Sequence, residues 1–126
     1  MKPRPIILCS GGIDSLALTV MAVTRGLNPL LLHIRYDHPA AREELEAVRK
    51  IASAFAGSCK LHLDTFIHAL NILIKDGVGV AAPLINMTRK QILVIIPEPI
   101  QYLAWSCYQP YCGVPCGRCN SCLQGN

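Results

Sequence analysis

The stretch Pro5-Ile6-Ile7-Leu8-Cys9-Ser10-Gly11-Gly12-Ile13-Asp14-Ser15 decides the fold class of this 126-residue chain. Its first five residues form a continuous apolar run, which is typical of a strand buried on both faces. From residue 15 to residue 25 apolar residues recur at spacings of three and four, which predicts a helix, and Gly26 supplies a natural C-terminal stop. A strand, a glycine turn and a helix predict a parallel β-α unit whose ligand loop directly follows Cys9.

The same alternation continues along the chain. Residues 30–34 and 60–64 read as further strands, and residues 39–55 form a clear amphipathic helix that is followed by Gly57. Residues 65–75 are predicted to form another helix. Strands that alternate with helices indicate an α/β fold with a doubly wound parallel sheet, and 126 residues fit a single domain.

The second half is less regular. Residues 78–85 are predicted as a strand, weakened by Pro83. Thr88 and Gln91 have the spacing of a capping box, so residues 89–95 are predicted to form a short helix that Pro97 and Pro99 end. Residues 105–126 have the Gly, Pro and Cys content of a metal-binding tail.

The loop Ser10-Gly11-Gly12-Ile13-Asp14-Ser15 predicts a phosphate site. Glycines let backbone N–H groups converge on an anion, and the following helix adds its positive N-terminal end. The hydroxyls of Ser10 and Ser15 can add donors. Asp14 would repel a bare phosphate, so it is expected either to cap the helix or to bind Mg²⁺. The loop contains no Lys and therefore differs from the Gly-Lys-Ser/Thr loop of P-loop NTPases.

The cysteines predict a metal centre. Five of the seven lie between positions 107 and 122, and only Cys9 and Cys59 lie elsewhere. Cys116, Cys119 and Cys122 are evenly spaced by three, and a tetrahedral zinc site needs a fourth thiolate, for which Cys107 and Cys112 both qualify. A closed site of four cysteines is expected to be structural. Cys9 is expected to be a buried small hydrophobe, and His38 to be a surface or core residue more often than a catalytic one.

Charge and hydropathy exclude some classes of protein. The formal net charge is +4 and the basic residues are spread along the chain, which is compatible with an anionic ligand and does not predict a nucleic-acid surface. No apolar run reaches the ~18 residues of a membrane span. The apolar stretch near the N-terminus is too short for a signal peptide, so a cytoplasmic location is expected.

Together the two motifs resemble a known family. The loop resembles the PP-loop of ATP pyrophosphatases, which cleave ATP to AMP and pyrophosphate while adenylating a substrate. With the tail Cys107-Tyr108 … Cys116-Gly117-Arg118-Cys119-Asn120-Ser121-Cys122, the chain resembles the QueC family of 7-cyano-7-deazaguanine (preQ0) synthases. That resemblance implies an adenine nucleotide α-hydrolase-like fold and a zinc ion held by Cys107, Cys116, Cys119 and Cys122. It also implies a basic role near the phosphates for Arg89 or Lys90.

The resemblance also implies a mechanism. Family members convert 7-carboxy-7-deazaguanine and ammonia to the nitrile with ATP and Mg²⁺, through an acyl adenylate. Carried over to this chain, residues Ser10, Gly11, Gly12, Ile13, Asp14 and Ser15 with Arg89 would hold ATP. Asp14 and Ser15 would have the most direct part in the chemistry. Neither a membrane nor a nucleic acid is an expected direct partner.

The chain departs from the family pattern in its centre. It is about half the usual length, and the shortening falls between Asp64 and Ala82. A Pro-Gly-Arg-Asn segment is absent, and Arg35-Tyr36-Asp37-His38-Pro39 replaces an Asp-Tyr-Gly-Gln-Arg-His stretch. Two alternatives follow: another PP-loop enzyme that modifies tRNA or a nucleobase, or a nucleotide-binding relative without catalysis. A homodimer could supply the missing wall of the substrate site.

Overall fold

A computed structural model describes residues 4–65 and 82–123 of the chain. Its elements, in chain order, are β1 (Ile6–Leu8), α1 (Ile13–Thr24), β2 (Leu30–Arg35), α2 (Ala41–Ala54), β3 (Lys60–Thr65), α3 (Arg89–Ile95), a 3₁₀ helix (Glu98–Leu103) and α4 (Asn120–Leu123). The predicted alternation of strands and helices is therefore confirmed from β1 to β3.

The three strands form a parallel sheet in the order β1-β2-β3. Ile6 is in register with Leu30, and Leu32 with His62. Beyond the end of β1, the Cys9 N–H donates to the carbonyl of Leu32 over 2.9 Å. The strand pairing therefore continues up to the Ser10–Ser15 loop, the phosphate-loop candidate. The α/β class is confirmed, whereas the doubly wound arrangement stays a prediction.

The core lies between the sheet, α1, α2 and α3. Its residues are the apolar side chains that the sequence pattern placed on one face of each element, and Leu16, Leu31, Val48 and Ile51 are fully buried. Burying an aliphatic side chain of this size stabilises a fold by about 1.5–3 kcal/mol. This core fixes the carboxyl end of β1 relative to both following helices.

The segment after the 3₁₀ helix returns to the loop that follows β1. Trp105 donates its backbone N–H to the carbonyl oxygen of Gly11 over 2.7 Å. Arg89 lies at the start of α3, and its Nη2 donates to Ser106 Oγ over 3.2 Å. The tail is thus attached to the loop by main-chain and side-chain hydrogen bonds.

The capping box predicted for α3 is confirmed. Thr88 Oγ1 accepts from Gln91 N over 3.2 Å, and Gln91 Oε1 accepts from Thr88 N over 2.9 Å. Within the described ranges, no helix combines the length and apolar character that crossing a membrane requires.

Several boundaries differ from the sequence-based expectation, and helix α2 is shorter than the predicted 39–55. Helix α1 begins at Ile13, two residues early, because Gly12 serves as its N-cap. The predicted strand over 78–85 is wrong for residues 82–85, most of which form a turn at Pro83, since proline cannot donate to a strand ladder. Thr65, predicted as helical, ends β3; the rest of the predicted helix (66–75) and residues 78–81 lie outside the described residues.

Gly11 provides a test of how closely the loop packs against α2. Its φ is +87°, and a Cβ there would lie 2.8 Å from the Glu44 carbonyl oxygen and 2.9 Å from the Ala47 Cβ. Gly57 has almost the same φ, +85°, with open space around the equivalent position. Gly57→Ala therefore isolates the left-handed strain of about 1–2 kcal/mol, and Gly11→Ala adds an overlap of about 1–3 kcal/mol.

We expect the urea midpoint to fall clearly further for Gly11→Ala than for Gly57→Ala, at an unchanged m-value. Equal losses in the two variants would show that α2 does not press on the loop.

Candidate functional site

The phosphate-loop candidate is built from the end of β1 and the start of α1. Gly11 takes a left-handed conformation, and Gly12 is the extended N-cap, with no side chain capping the helix. Ser10 Oγ accepts from the Gly12 N–H over 3.4 Å. The first N–H groups of a helix lack intrahelical acceptors and carry the positive end of its dipole. This end of α1 therefore has the chemistry of an anion site.

The remaining residues of the loop have different surroundings. Ile13 is buried in the core, and Ser15, only 4% exposed, donates its hydroxyl to the Gly12 carbonyl over 3.2 Å. Asp14 is exposed in the first turn of α1 and makes no capping bond, so its interpretation as a helix cap is wrong. Its assignment to Mg²⁺ stays a prediction, as does a contact of Ser15 with phosphate.

Arg89 is connected to this loop through the tail. Its guanidinium donates to Ser106, the residue next to Trp105, and Trp105 in turn donates to Gly11. Lys90, the alternative basic residue, is exposed on the same short helix. The structure therefore distinguishes the two neighbours: Arg89 is anchored beside the loop segment, whereas Lys90 faces solvent.

A cavity of about 160 Å³ opens beside the loop, at the carboxyl ends of β1 and β2. Its lining residues are Leu8, Cys9, Ser10, Leu32, His33, Ile34, Tyr36 and Glu44. Cys9 is buried as predicted, and desolvation raises the pKa of its thiol, which disfavours a nucleophilic thiolate. This position, next to a glycine-rich loop, is where open parallel sheets bind ligands.

Glu44 brings the start of α2 to this cavity. Its carboxylate lies 3.1 Å from His38 Nε2, and the His38 ring lies against Tyr36 with 4.4 Å between ring centroids. Desolvation raises the pKa of the Glu44 carboxyl, although His38 and His33 act in the opposite direction. Sequence reasoning missed Glu44, because nothing local in the pattern of α2 separates it from the other charged residues.

A larger cavity of about 560 Å³ lies on the other side of α2, against residues 102–105. It contains no residue of the loop and no member of the clustered cysteines described next. Cavity size therefore does not identify the site. The smaller cavity is the better candidate, because it adjoins the glycine-rich loop.

The tail brings four cysteines together. The Sγ atoms of Cys107, Cys116, Cys119 and Cys122 all lie within 4.8 Å of one another. Cys112 is exposed with a φ of +50° and is outside this group, so the structure favours Cys107 over Cys112 as the fourth member. All seven cysteines are free thiols.

Backbone N–H groups point at these sulfurs. Cys116 N donates to Cys107 Sγ over 3.2 Å, and Cys119 N donates to Cys116 Sγ over 3.3 Å. The N–H of Tyr108 is the main cause that lowers the pKa of Cys119 to about 6. At Cys122 a hydrogen bond with Gly117 acts downward, but desolvation and the three neighbouring thiols prevail and raise its pKa to about 12.

The raised pKa of Cys122 shows that the neighbouring thiols disfavour its ionisation. A divalent cation removes the mutual repulsion, because metal binding requires and stabilises deprotonated sulfur. Four thiolates at mutual contact, with N–H donors around them, fit tetrahedral Zn²⁺. The cluster is therefore compatible with a zinc site that has no open position.

Comparison with known proteins identifies a family whose model matches both parts of the chain, the part with the loop and the part with the cysteine tail. A family model described as queuosine biosynthesis protein QueC matches residues 4–65 and 59–126. The 7-cyano-7-deazaguanine synthase of Methanothrix thermoacetophila is 40% identical over 55 residues, which is 44% of this chain and 25% of that protein. No solved structure gives a significant match.

Two further relatives carry the same name. The 7-cyano-7-deazaguanine synthase of Sulfolobus acidocaldarius is 43% identical over 51 residues, 40% of this chain and 11% of that protein. That of Chlorobium phaeobacteroides strain BS1 is 36% identical over 61 residues, 48% of this chain and 27% of that protein. The matches thus span about a quarter or less of the length of these relatives.

Cysteine-to-serine variants test the metal centre. Cys107→Ser removes one thiolate of the clustered set, whereas Cys112→Ser removes a neighbouring thiol outside it. We expect protein purified with zinc to hold one Zn²⁺ per chain, and Cys107→Ser to weaken binding by more than the roughly 10–100-fold that outer-shell changes cost.

Cys112→Ser should keep the zinc content and affinity of the unmodified chain, measured by atomic emission and by competition with a chelator. The four-cysteine assignment is refuted if Cys112→Ser loses as much zinc as Cys107→Ser.

Proposed function

The chain belongs to the QueC family, and from this premise we propose that it binds ATP at the Ser10–Ser15 loop and acts as a preQ0 synthase. The observation that carries the proposal is the physical connection between the two family motifs. The tail that bears the clustered cysteines donates the Trp105 N–H to the carbonyl of Gly11 in the loop, over 2.7 Å. This contact holds the two motifs next to each other in the fold, which supports a shared role.

The loop and its surroundings fit a nucleoside triphosphate. The N–H groups of Gly12 and of the first turn of α1 would donate hydrogen bonds to the phosphate oxygens, and Arg89 would add a positive charge. The cavity next to Ser10 would hold the base. Mg²⁺, with Asp14 as its candidate ligand, would supply charge neutralisation at the phosphates.

The proposed reaction activates a carboxylate twice. The carboxylate oxygen of 7-carboxy-7-deazaguanine attacks the α-phosphorus of ATP, and pyrophosphate leaves. Ammonia then attacks the acyl carbon of the adenylate, AMP leaves, and an amide forms. The amide oxygen attacks a second ATP in the same way, and loss of AMP and a proton gives the nitrile. The products are preQ0, two AMP and two pyrophosphate, and each AMP carries away one oxygen of the acid.

The protein's contribution to these steps is positional and electrostatic. Loop N–H groups that point at the departing pyrophosphate stabilise its developing charge without reorganising during the reaction. The Cys107–Cys122 cluster would hold Zn²⁺ as a structural ion that fixes the tail, because four thiolates leave no coordination position for substrate. A second copy of the chain would complete the wall of the deazapurine site.

The synthase activity has a direct test. Purified zinc-loaded protein is incubated with Mg-ATP, ammonium and 7-carboxy-7-deazaguanine. We expect mass spectrometry to detect preQ0, and the amount of AMP released to rise in proportion to it. Tight ATP binding without AMP release on this acid would refute the synthase and favour a nucleotide-binding relative. Pyrophosphate release with tRNA alone would favour a different PP-loop enzyme.

Arg89 and its neighbour provide a matched pair of variants. Arg89→Ala removes a guanidinium anchored beside the loop, whereas Lys90→Ala removes an exposed ammonium from the same helix. Because a charged hydrogen bond is worth about 1.5–3 kcal/mol, we expect Arg89→Ala to weaken ATP binding at least about ten-fold.

Calorimetry with AMP separates this role from a general loss of structure. AMP lacks the outer phosphates, so its affinity should change much less in Arg89→Ala, and Lys90→Ala should leave both affinities near the original values. Equal weakening of ATP and AMP by Arg89→Ala would assign Arg89 to packing instead.

A further inference from the structure

His33 is a buried titratable residue that the synthase proposal does not use. It lies in β2 between Leu32 and Ile34, is only 4% exposed, and lines the cavity beside the loop. Its Nδ1 lies 2.8 Å from the carbonyl oxygen of Cys9. In the sequence, His33 is distinguished only as a histidine flanked by apolar residues of a predicted strand.

The Cys9 contact fixes the tautomer of the ring. A backbone carbonyl can only accept, so Nδ1 must carry the hydrogen and donate it. In the neutral imidazole the lone pair then resides on Nε2, which becomes an acceptor. Among residues 4–65 and 82–123, no group donates a hydrogen bond to this atom.

The lining of the cavity has the chemistry of a site for a flat ring that carries a hydrogen-bond donor. Leu8, 57% exposed, and Tyr36, 62% exposed, offer apolar and aromatic surface at its mouth. The carboxylate of Glu44 adds a second acceptor to the lining of the cavity. Ser10, the first residue of the loop, closes one side, so the ring and the phosphates of one ligand can occupy adjoining sites.

We propose that His33 is a positioning residue that selects a 6-aminopurine nucleotide, with Nε2 accepting a hydrogen bond from the exocyclic amino group of the base. This inference rests on the proposed ATP site and adds the residue that reads the base. A 6-oxo group would direct its own lone pairs at Nε2, leaving two acceptors face to face. Inosine triphosphate, which differs from ATP at this position, should therefore bind more weakly.

The test compares ATP, inosine triphosphate and purine riboside triphosphate, which has hydrogen in place of the amino group. The net value of one neutral hydrogen bond corresponds to a change in affinity of roughly two- to ten-fold. We expect the unmodified zinc-loaded chain to bind ATP about five- to ten-fold more tightly than either analogue, measured by calorimetry.

Variants of His33 then assign the preference. His33→Phe removes the acceptor, so ATP should fall to the affinity of the analogues while the analogues change little. His33→Gln can donate its amide N–H to Cys9 and still accept through Oε1, so it should retain part of the preference. His62→Phe is the matched control, because His62 lies on the neighbouring strand β3, contacts Asp64 over 3.1 Å and is outside the cavity.

The outcomes separate the two proposals. If the unmodified chain binds all three nucleotides equally well, or if His33→Phe keeps the preference, the role of His33 is refuted while the ATP site stands. If no triphosphate binds, the proposed function fails and this inference fails with it. If His33→Phe does not fold, equal affinities on the unmodified chain still refute the role of His33, and loss of part of the preference in His33→Gln supports it.

Discussion

The close approach of α2 to Gly11 is the constraint on which the rest of the site depends. With α2 this near, the loop has no room for a side chain at position 11, where a Cβ would meet the Glu44 carbonyl at 2.8 Å. A left-handed φ of +87° adds a second reason for glycine, because other residues adopt it only with strain. The carbonyl of the same residue accepts the Trp105 N–H, so one glycine sets the loop against both α2 and the tail.

This arrangement gives the site two ends of opposite character. On one side of Gly11, the N–H groups at the start of α1 and the guanidinium of Arg89 offer positive charge and donors. On the other side, the cavity offers acceptors, the Glu44 carboxylate and the His33 ring. A ligand with an anionic end and a ring that carries a hydrogen-bond donor therefore fits the site in only one orientation. Since Glu44 both crowds Gly11 through its carbonyl and lines the cavity through its carboxylate, α2 sets the spacing between the two ends.

Sequence patterns predicted those features that depend on neighbours in the chain. Apolar runs placed β1 and β2, and the Thr88–Gln91 spacing predicted the capping box of α3. Features that depend on contacts between distant segments were missed or left open. Cys107 and Cys112 are equivalent by spacing, and only the folded tail turns Cys112 away from the other sulfurs. Likewise, the cavity between β2 and α2 arises from packing, and no local pattern marks Glu44 as one of its residues.

Four cysteines that close around a metal would leave no place for substrate, yet the position of this cluster connects it to the loop. The cluster begins at Cys107, two residues after Trp105, and the Trp105 indole Nε1 donates to the Cys107 carbonyl over 2.7 Å. Ordering the four sulfurs around a metal therefore also orders the residue whose backbone N–H holds Gly11. The neighbouring thiols raise the pKa of Cys122, and a bound cation would offset this effect. Zinc would in this way act on the proposed ATP site through main-chain geometry and take no direct part in the chemistry.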